Sequence, residues 1–73
     1  MLIKELFSDY SESIPTPVGR GEILNVTYSK DYTSLWVTAS FDIPVKTDNV
    51  IEYEKLMEKN LALREFVLRC RYA

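Results

Sequence analysis

Leu35-Trp36-Val37-Thr38-Ala39-Ser40-Phe41 reads as a single β-strand, and its reading decides the fold. Leu35, Val37, Ala39 and Phe41 fall on one side, and Trp36, Thr38 and Ser40 on the other. Successive side chains of an extended chain point to opposite faces, so this alternation marks a strand with one face in a core. Just upstream, Ile23 to Ser29 alternates too, with Leu24, Val26 and Tyr28 set against Ile23, Asn25 and Thr27. Between the two runs, Lys30-Asp31-Tyr32-Thr33 is polar and of hairpin length. The two runs predict an antiparallel hairpin.

Working outward, Pro44 ends the second strand, and Thr47, Asp48 and Asn49 are all good helix N-caps. Asn49 followed by Glu52 has the shape of a capping box. The helix is expected to run to about Lys59. Val50, Tyr53, Leu56, Met57 and Leu61 form its apolar face, and Glu52, Glu54, Lys55, Glu58 and Lys59 its wet one. Glu65 to Tyr72 alternates again, with Phe66, Leu68, Cys70 and Tyr72 against Val67, Arg69 and Arg71. At the other end, Leu2, Ile3, Leu6, Phe7 and Tyr10 recur at helical spacing. Ser11 to Gly21, with Pro15, Pro17, Gly19 and Gly21, reads as a loop. The order is α-β-β-α-β. It predicts an α+β domain with a three-stranded mixed sheet, two helices on one face and the other face open.

Seventy-three residues make one domain. A chain of this size buries only about 60% of its unfolded surface, so its stability margin is thin. Apolar residues are 47% of the chain, enough for one core and against intrinsic disorder. A net charge of −2 gives no long-range attraction for phosphate backbones and no polybasic membrane anchor. Cys70 is the single cysteine, which excludes an internal disulfide and fits a reducing, cytoplasmic setting. No apolar run approaches the roughly 20 residues of a membrane span, and Met1 to Phe7 does not read as a signal peptide. The sequence stops at Arg71-Tyr72-Ala73, directly after a strand-like run, as expected of a domain excised from the N-terminus of a larger protein.

A search for catalytic chemistry comes back empty. There is no histidine, the commonest general base and metal ligand. Ser8, Ser11 and Ser13 have no base to activate them. Cys70 sits between Arg69 and Arg71, and cations can lower a thiol pKa. Its side chain, however, shares a face with Phe66 and Leu68, which makes it a small buried hydrophobe. Asp42 and Asp48 flank Pro44 without a third ligand at suitable spacing, so strand termination and capping account for them. Gly19-Arg20-Gly21 lacks the preceding strand, following helix and lysine of a phosphate loop. No cofactor or metal site is expected in this segment.

The open sheet face remains. Ile23, Asn25, Thr27, Trp36, Thr38, Ser40, Val67, Arg69 and Arg71 are expected there. Tryptophan and arginine are favoured interface anchors, and Trp36 beside Ile23 and Val67, rimmed by Arg69 and Arg71, would form a contact patch. The alternative is that Trp36 props the sheet or packs under the Pro15–Pro17 loop. A ring beside arginines is also the kit of a single-stranded nucleic-acid platform, although only one such ring is available and the chain is acidic.

Leu6-Phe7 with Tyr10, the alternating hairpin, a helix carrying Tyr53-Glu54 and Leu56-Met57, and a last strand ending Arg71-Tyr72 together resemble one family. It is the first N-terminal domain of the PolC-type α subunit of bacterial DNA polymerase III, the replicative polymerase of low-GC Gram-positive bacteria. The resemblance implies a shortened type II KH fold. It also implies a non-catalytic role in DNA replication, through protein contact or positioning within the replisome. The implied partners are a clamp-loader τ-type subunit or other domains of the parent polymerase. Polymerase and 3′–5′ exonuclease carboxylates of that family lie downstream of this domain, and none is carried onto this chain. One departure bears on nucleic acid. KH domains grip the backbone with a Gly-x-x-Gly loop, whereas Lys59-Asn60-Leu61-Ala62-Leu63 after the long helix has no glycine. A KH-like single-stranded nucleic-acid module is therefore the second reading.

Overall fold

A computed structural model describes residues 1–6 and 14–72 of the chain. In chain order the elements are α1 (Ile3–Leu6), α2 (Thr16–Gly19), β1 (Glu22–Tyr28), β2 (Ser34–Phe41), α3 (Thr47–Leu61) and β3 (Glu65–Tyr72). The sheet has the order β1-β2-β3, with β1 antiparallel and β3 parallel to the central β2. The α+β fold with a three-stranded mixed sheet is therefore as the alternation predicts. No helix among the described residues is long and apolar enough to cross a membrane.

β2 is buried at every second residue. Leu35, Val37 and Ala39 are sealed and Phe41 nearly so, while Ser34, Trp36, Thr38 and Ser40 between them are half-buried. Phe66 and Leu68 of β3 extend this core, and Tyr53 and Met57 of α3 close it from above. Ile3 of α1, Ile14 ahead of α2, and Val18 of α2 complete it. Each fully buried Val, Leu, Ile, Phe or Met side chain of this set stabilises by about 1.5–3 kcal/mol through area removed from water. The Tyr53 and Phe66 rings meet edge to face at 5.3 Å.

The hairpin turn is held by side chains. The Ser29 hydroxyl donates to Asp31 Oδ1 at 2.7 Å and the Thr33 hydroxyl donates to the same atom at 2.8 Å. These donors, Ser29 first, hold the Asp31 carboxyl down at about 2. Tyr32 takes up the left-handed conformation there, with φ 59°. The turn also anchors β3, because Thr33 C=O accepts from Arg64 N–H at 2.8 Å.

Three local readings change. The segment expected to be loop contains α2, which starts after Pro15 with Pro17 in its first turn. Proline is tolerated there because a first-turn N–H has no partner to lose. The capping box at Asn49 does not form. The helix begins earlier, at Thr47, with Lys46 as its cap, and Asn49 and Val50 N–H donate to the Lys46 carbonyl. At the N-terminus Ile3–Leu6 is helical, as expected; the rest of the predicted helix, with Phe7 and Tyr10, lies outside the described residues, as do Ser8, Ser11 and Ser13.

The third change concerns Ile23. β1 carries a bulge between Ile23 and Asn25, so Ile23 stands opposite Ala39 while Asn25 stands opposite Thr38. The extra residue, Leu24, shifts the alternation by one. Ile23 consequently packs half-buried against the core and does not belong to the open face.

Two outcomes test this packing. A Cβ on Gly21 would lie 2.5 Å from Cε1 and Cζ of Phe41 and 3.0 Å from Cδ1 of Ile3. Gly21→Ala is expected to cost about 1–3 kcal/mol in urea unfolding, and an unchanged midpoint would contradict the contact. Among the described residues the buried Tyr53 hydroxyl has no hydrogen-bond partner, and burial pushes its pKa far up. Tyr53→Phe removes an unpaired polar atom while keeping the ring, so it should be neutral or stabilising by up to about 1 kcal/mol. A clear loss of stability would mean that the hydroxyl has a partner.

Candidate interaction face

The side of the sheet that no described helix covers is built in rows by strand register. Thr27, Trp36 and Val67 stand side by side across the three strands; Asn25, Thr38 and Arg69 form the next row; Glu22, Ser40 and Arg71 the third. Directly paired residues share a face, so the pairing alone sets this array. Of the residues expected on this face, Trp36, Thr38, Val67, Arg69 and Arg71 are brought together, along with Asn25, Thr27 and Ser40. Ile23 is turned away by the bulge.

The centre of the array is a shallow hollow of about 200 Å³ lined by Asn25, Thr27, Trp36, Thr38 and Arg69. Trp36 is half-buried on its floor and Arg69 is exposed at its side. Asn25 Nδ2 donates to Thr27 Oγ1 at 3.3 Å, which orients the amide along the β1 wall. With Ile23 removed, the apolar part of the face reduces to Trp36 and Val67. Hydroxyl, amide and guanidinium groups surround it. Such a surface offers one aromatic anchor within a hydrogen-bonding rim, the usual division of labour in a wet protein contact. Glu22 lies two strand spacings, roughly 10 Å, from Arg71 across Ser40. The basic side of the face is thus at β3 and the acidic side at β1.

Cys70 stands on the opposite side of β3, across from Ala39. Burial pushes its thiol pKa up; the Tyr72 hydroxyl opposes this in part, and the charge of Glu54 adds a smaller upward push. The thiol is held protonated at neutral pH and is a poor nucleophile. Arg69 and Arg71, its neighbours in sequence, point to the other face and do not activate it.

A larger hollow, about 490 Å³, opens where β2 ends, between Pro17, Arg20, Phe41, Ile43, Lys46 and Asn49. Asp42 also lines it, so its charge is mixed. No single stretch of sequence marks it, because it forms where α2, a segment of loop-like composition, meets the start of α3. Its sequence signal was the pair of proline-marked segments, Pro15–Pro17 and Pro44. Among the described residues, Asp42 and Asp48 join no cluster of three metal-ligating side chains.

Comparison with protein-family models, with curated proteins and with solved structures finds no match to this chain.

Proposed function

We propose that this chain is a non-catalytic protein-interaction or positioning module that docks through its helix-free sheet face. The observation that carries the reading is the hollow around Trp36, where a half-buried indole lies beside the exposed Arg69. The resemblance of the residue pattern to the PolC-type polymerase supports a role in DNA replication, in the cytoplasm. It would stand at the N-terminus of the replicative polymerase, with a clamp-loader τ-type subunit or another domain of the same enzyme as partner. The type II KH likeness belongs to this proposal as well.

Trp36 beside Arg69 also favours a second reading, a single-stranded nucleic-acid platform. Against it stand the single ring on the face and the net charge of −2. Oligo-dT separates the two. A platform would show quenching of Trp36 fluorescence that weakens steeply with salt; protein docking would leave the fluorescence unchanged by oligo-dT.

The direct test is an NMR titration of the labelled chain with purified clamp-loader subunits and with downstream polymerase domains. Shifts are expected at the Trp36 indole N–H and at the Thr38 and Arg69 amides. Trp36→Ala is expected to weaken the contact about tenfold or more while leaving the other amide shifts in place. Shifts confined to the helices, or none with any of these partners, would overturn the proposal.

A further inference from the structure

The two edges of the sheet are treated differently. On β3, the N–H groups of Phe66 and Leu68 donate to Glu58 Oε2 at 3.0 Å and Glu54 Oε2 at 2.9 Å, so carboxylates from α3 close that edge. On β1, the first residues of the chain close the edge only at its start. Ile3 N–H donates to Gly21 C=O and Ile23 N–H to Met1 C=O, both at 2.8 Å, making an antiparallel bridge between Leu2 and Glu22. Among the described residues that cover does not continue beyond Ile23.

Ser29 N–H donates inward to Ser34 C=O at 2.9 Å. By strand alternation the backbone groups of Val26 and Tyr28 then point outward, and among the described residues they take no partner. The side chains along this edge are also open, with Leu24 55%, Val26 37% and Tyr28 51% exposed. Tyr32 extends the patch, its ring 5.8 Å from that of Tyr28. Native edge strands are normally guarded by charge or proline. Ile23 to Ser29 has neither.

We infer that this edge pairs with a second copy of the chain, antiparallel over Leu24–Tyr28, about a two-fold axis through Val26. Three features select that occupant. A two-fold contact must be self-complementary, and this register sets Val26 against its twin, Leu24 against Tyr28, and Asn25 against Thr27. Apolar side chains meet apolar ones on one face and polar meet polar on the other. No charged residue in the segment meets its like across the axis, where self-pairing is most easily blocked. The slot also has the right length, since Met1 occupies the edge opposite Ile23 and the turn begins at Ser29. The bulge at Leu24 keeps the ladder short, so the contact falls below the roughly 1,000 Å² of a tight interface and the dimer is weak. This inference uses a different surface from the docking face and stands or falls without it.

Sedimentation equilibrium of the whole chain tests it. The weight-average mass is expected to climb from the 8.5 kDa of one chain toward twice that value as concentration rises from about 10 µM to 1 mM. Val26→Lys places two ammonium groups at the axis and Val26→Glu two carboxylates, so each alone should stay monomeric. An equimolar mixture should dimerise again, because the axis then holds opposite charges. Trp36→Ala should dimerise as the parent does. A parent chain that stays at one-chain mass throughout would overturn the inference. So would a Val26→Lys chain that still dimerises, or folded Val26 variants that fail to dimerise when mixed.

Discussion

Everything in this molecule is referred to the central strand, whose side chains have nowhere else to go. β2 is hydrogen-bonded on both sides, antiparallel to β1 and parallel to β3, and every second residue from Leu35 to Phe41 is sealed under the helices. A slip of one residue would put Trp36, Thr38 and Ser40 into the core and expose the apolar set. Burying two hydroxyls without partners would add a cost of about 1–3 kcal/mol each. The register is thus fixed by the core, and the composition of the opposite face follows from it. Trp36 is outward because Leu35 and Val37 are inward.

The same sheet shows how a small domain manages its edges. β3 is parallel to β2 and would expose a row of N–H groups to solvent. α3 returns over it with Glu54 and Glu58 one turn apart, and their carboxylates accept from alternate residues of the strand. These side chains do for the edge what another strand would do. They also tie the helix to the strand it precedes, in addition to the contact of Tyr53 with Phe66. Among the described residues β1 receives only the short Met1–Ile3 segment, and its helix-side residues Val26 and Tyr28 lie beyond the reach of the core. The burial of the domain is concentrated on β2 and β3, which leaves β1 with most of the exposed apolar side chains of the sheet.

Much of this was legible in the sequence because a period of two survives translation into structure. β2 and β3 alternate without interruption, and their faces were assigned correctly residue by residue; α3 was found from its 3.6-residue stripe. Ile23 was misplaced because alternation assumes an unbroken strand. A bulge is set by how β1 meets β2, and nothing in the composition of Ile23-Leu24-Asn25 announces it. The apolar patch expected around Ile23, Trp36 and Val67 shrank accordingly. Asn49 was read as a cap because its side chain suits the role. The backbone of Lys46 entered the helix first, however, and the first helical N–H groups found its carbonyl. The hollow at the end of β2 depends on two segments distant in sequence, α2 and the start of α3, and no single stretch could have disclosed it.

The claim on which the account rests is that Trp36 lies on the helix-free face, within reach of solvent, while its two neighbours along the strand are in the core. Since it is the one tryptophan in the chain, acrylamide quenching of its fluorescence in the native state addresses it alone. The account requires efficient quenching of the folded protein, a substantial fraction of that seen after unfolding in urea. A native indole that resists acrylamide, and becomes accessible only on unfolding, would place Trp36 in the core and contradict the reading of β2.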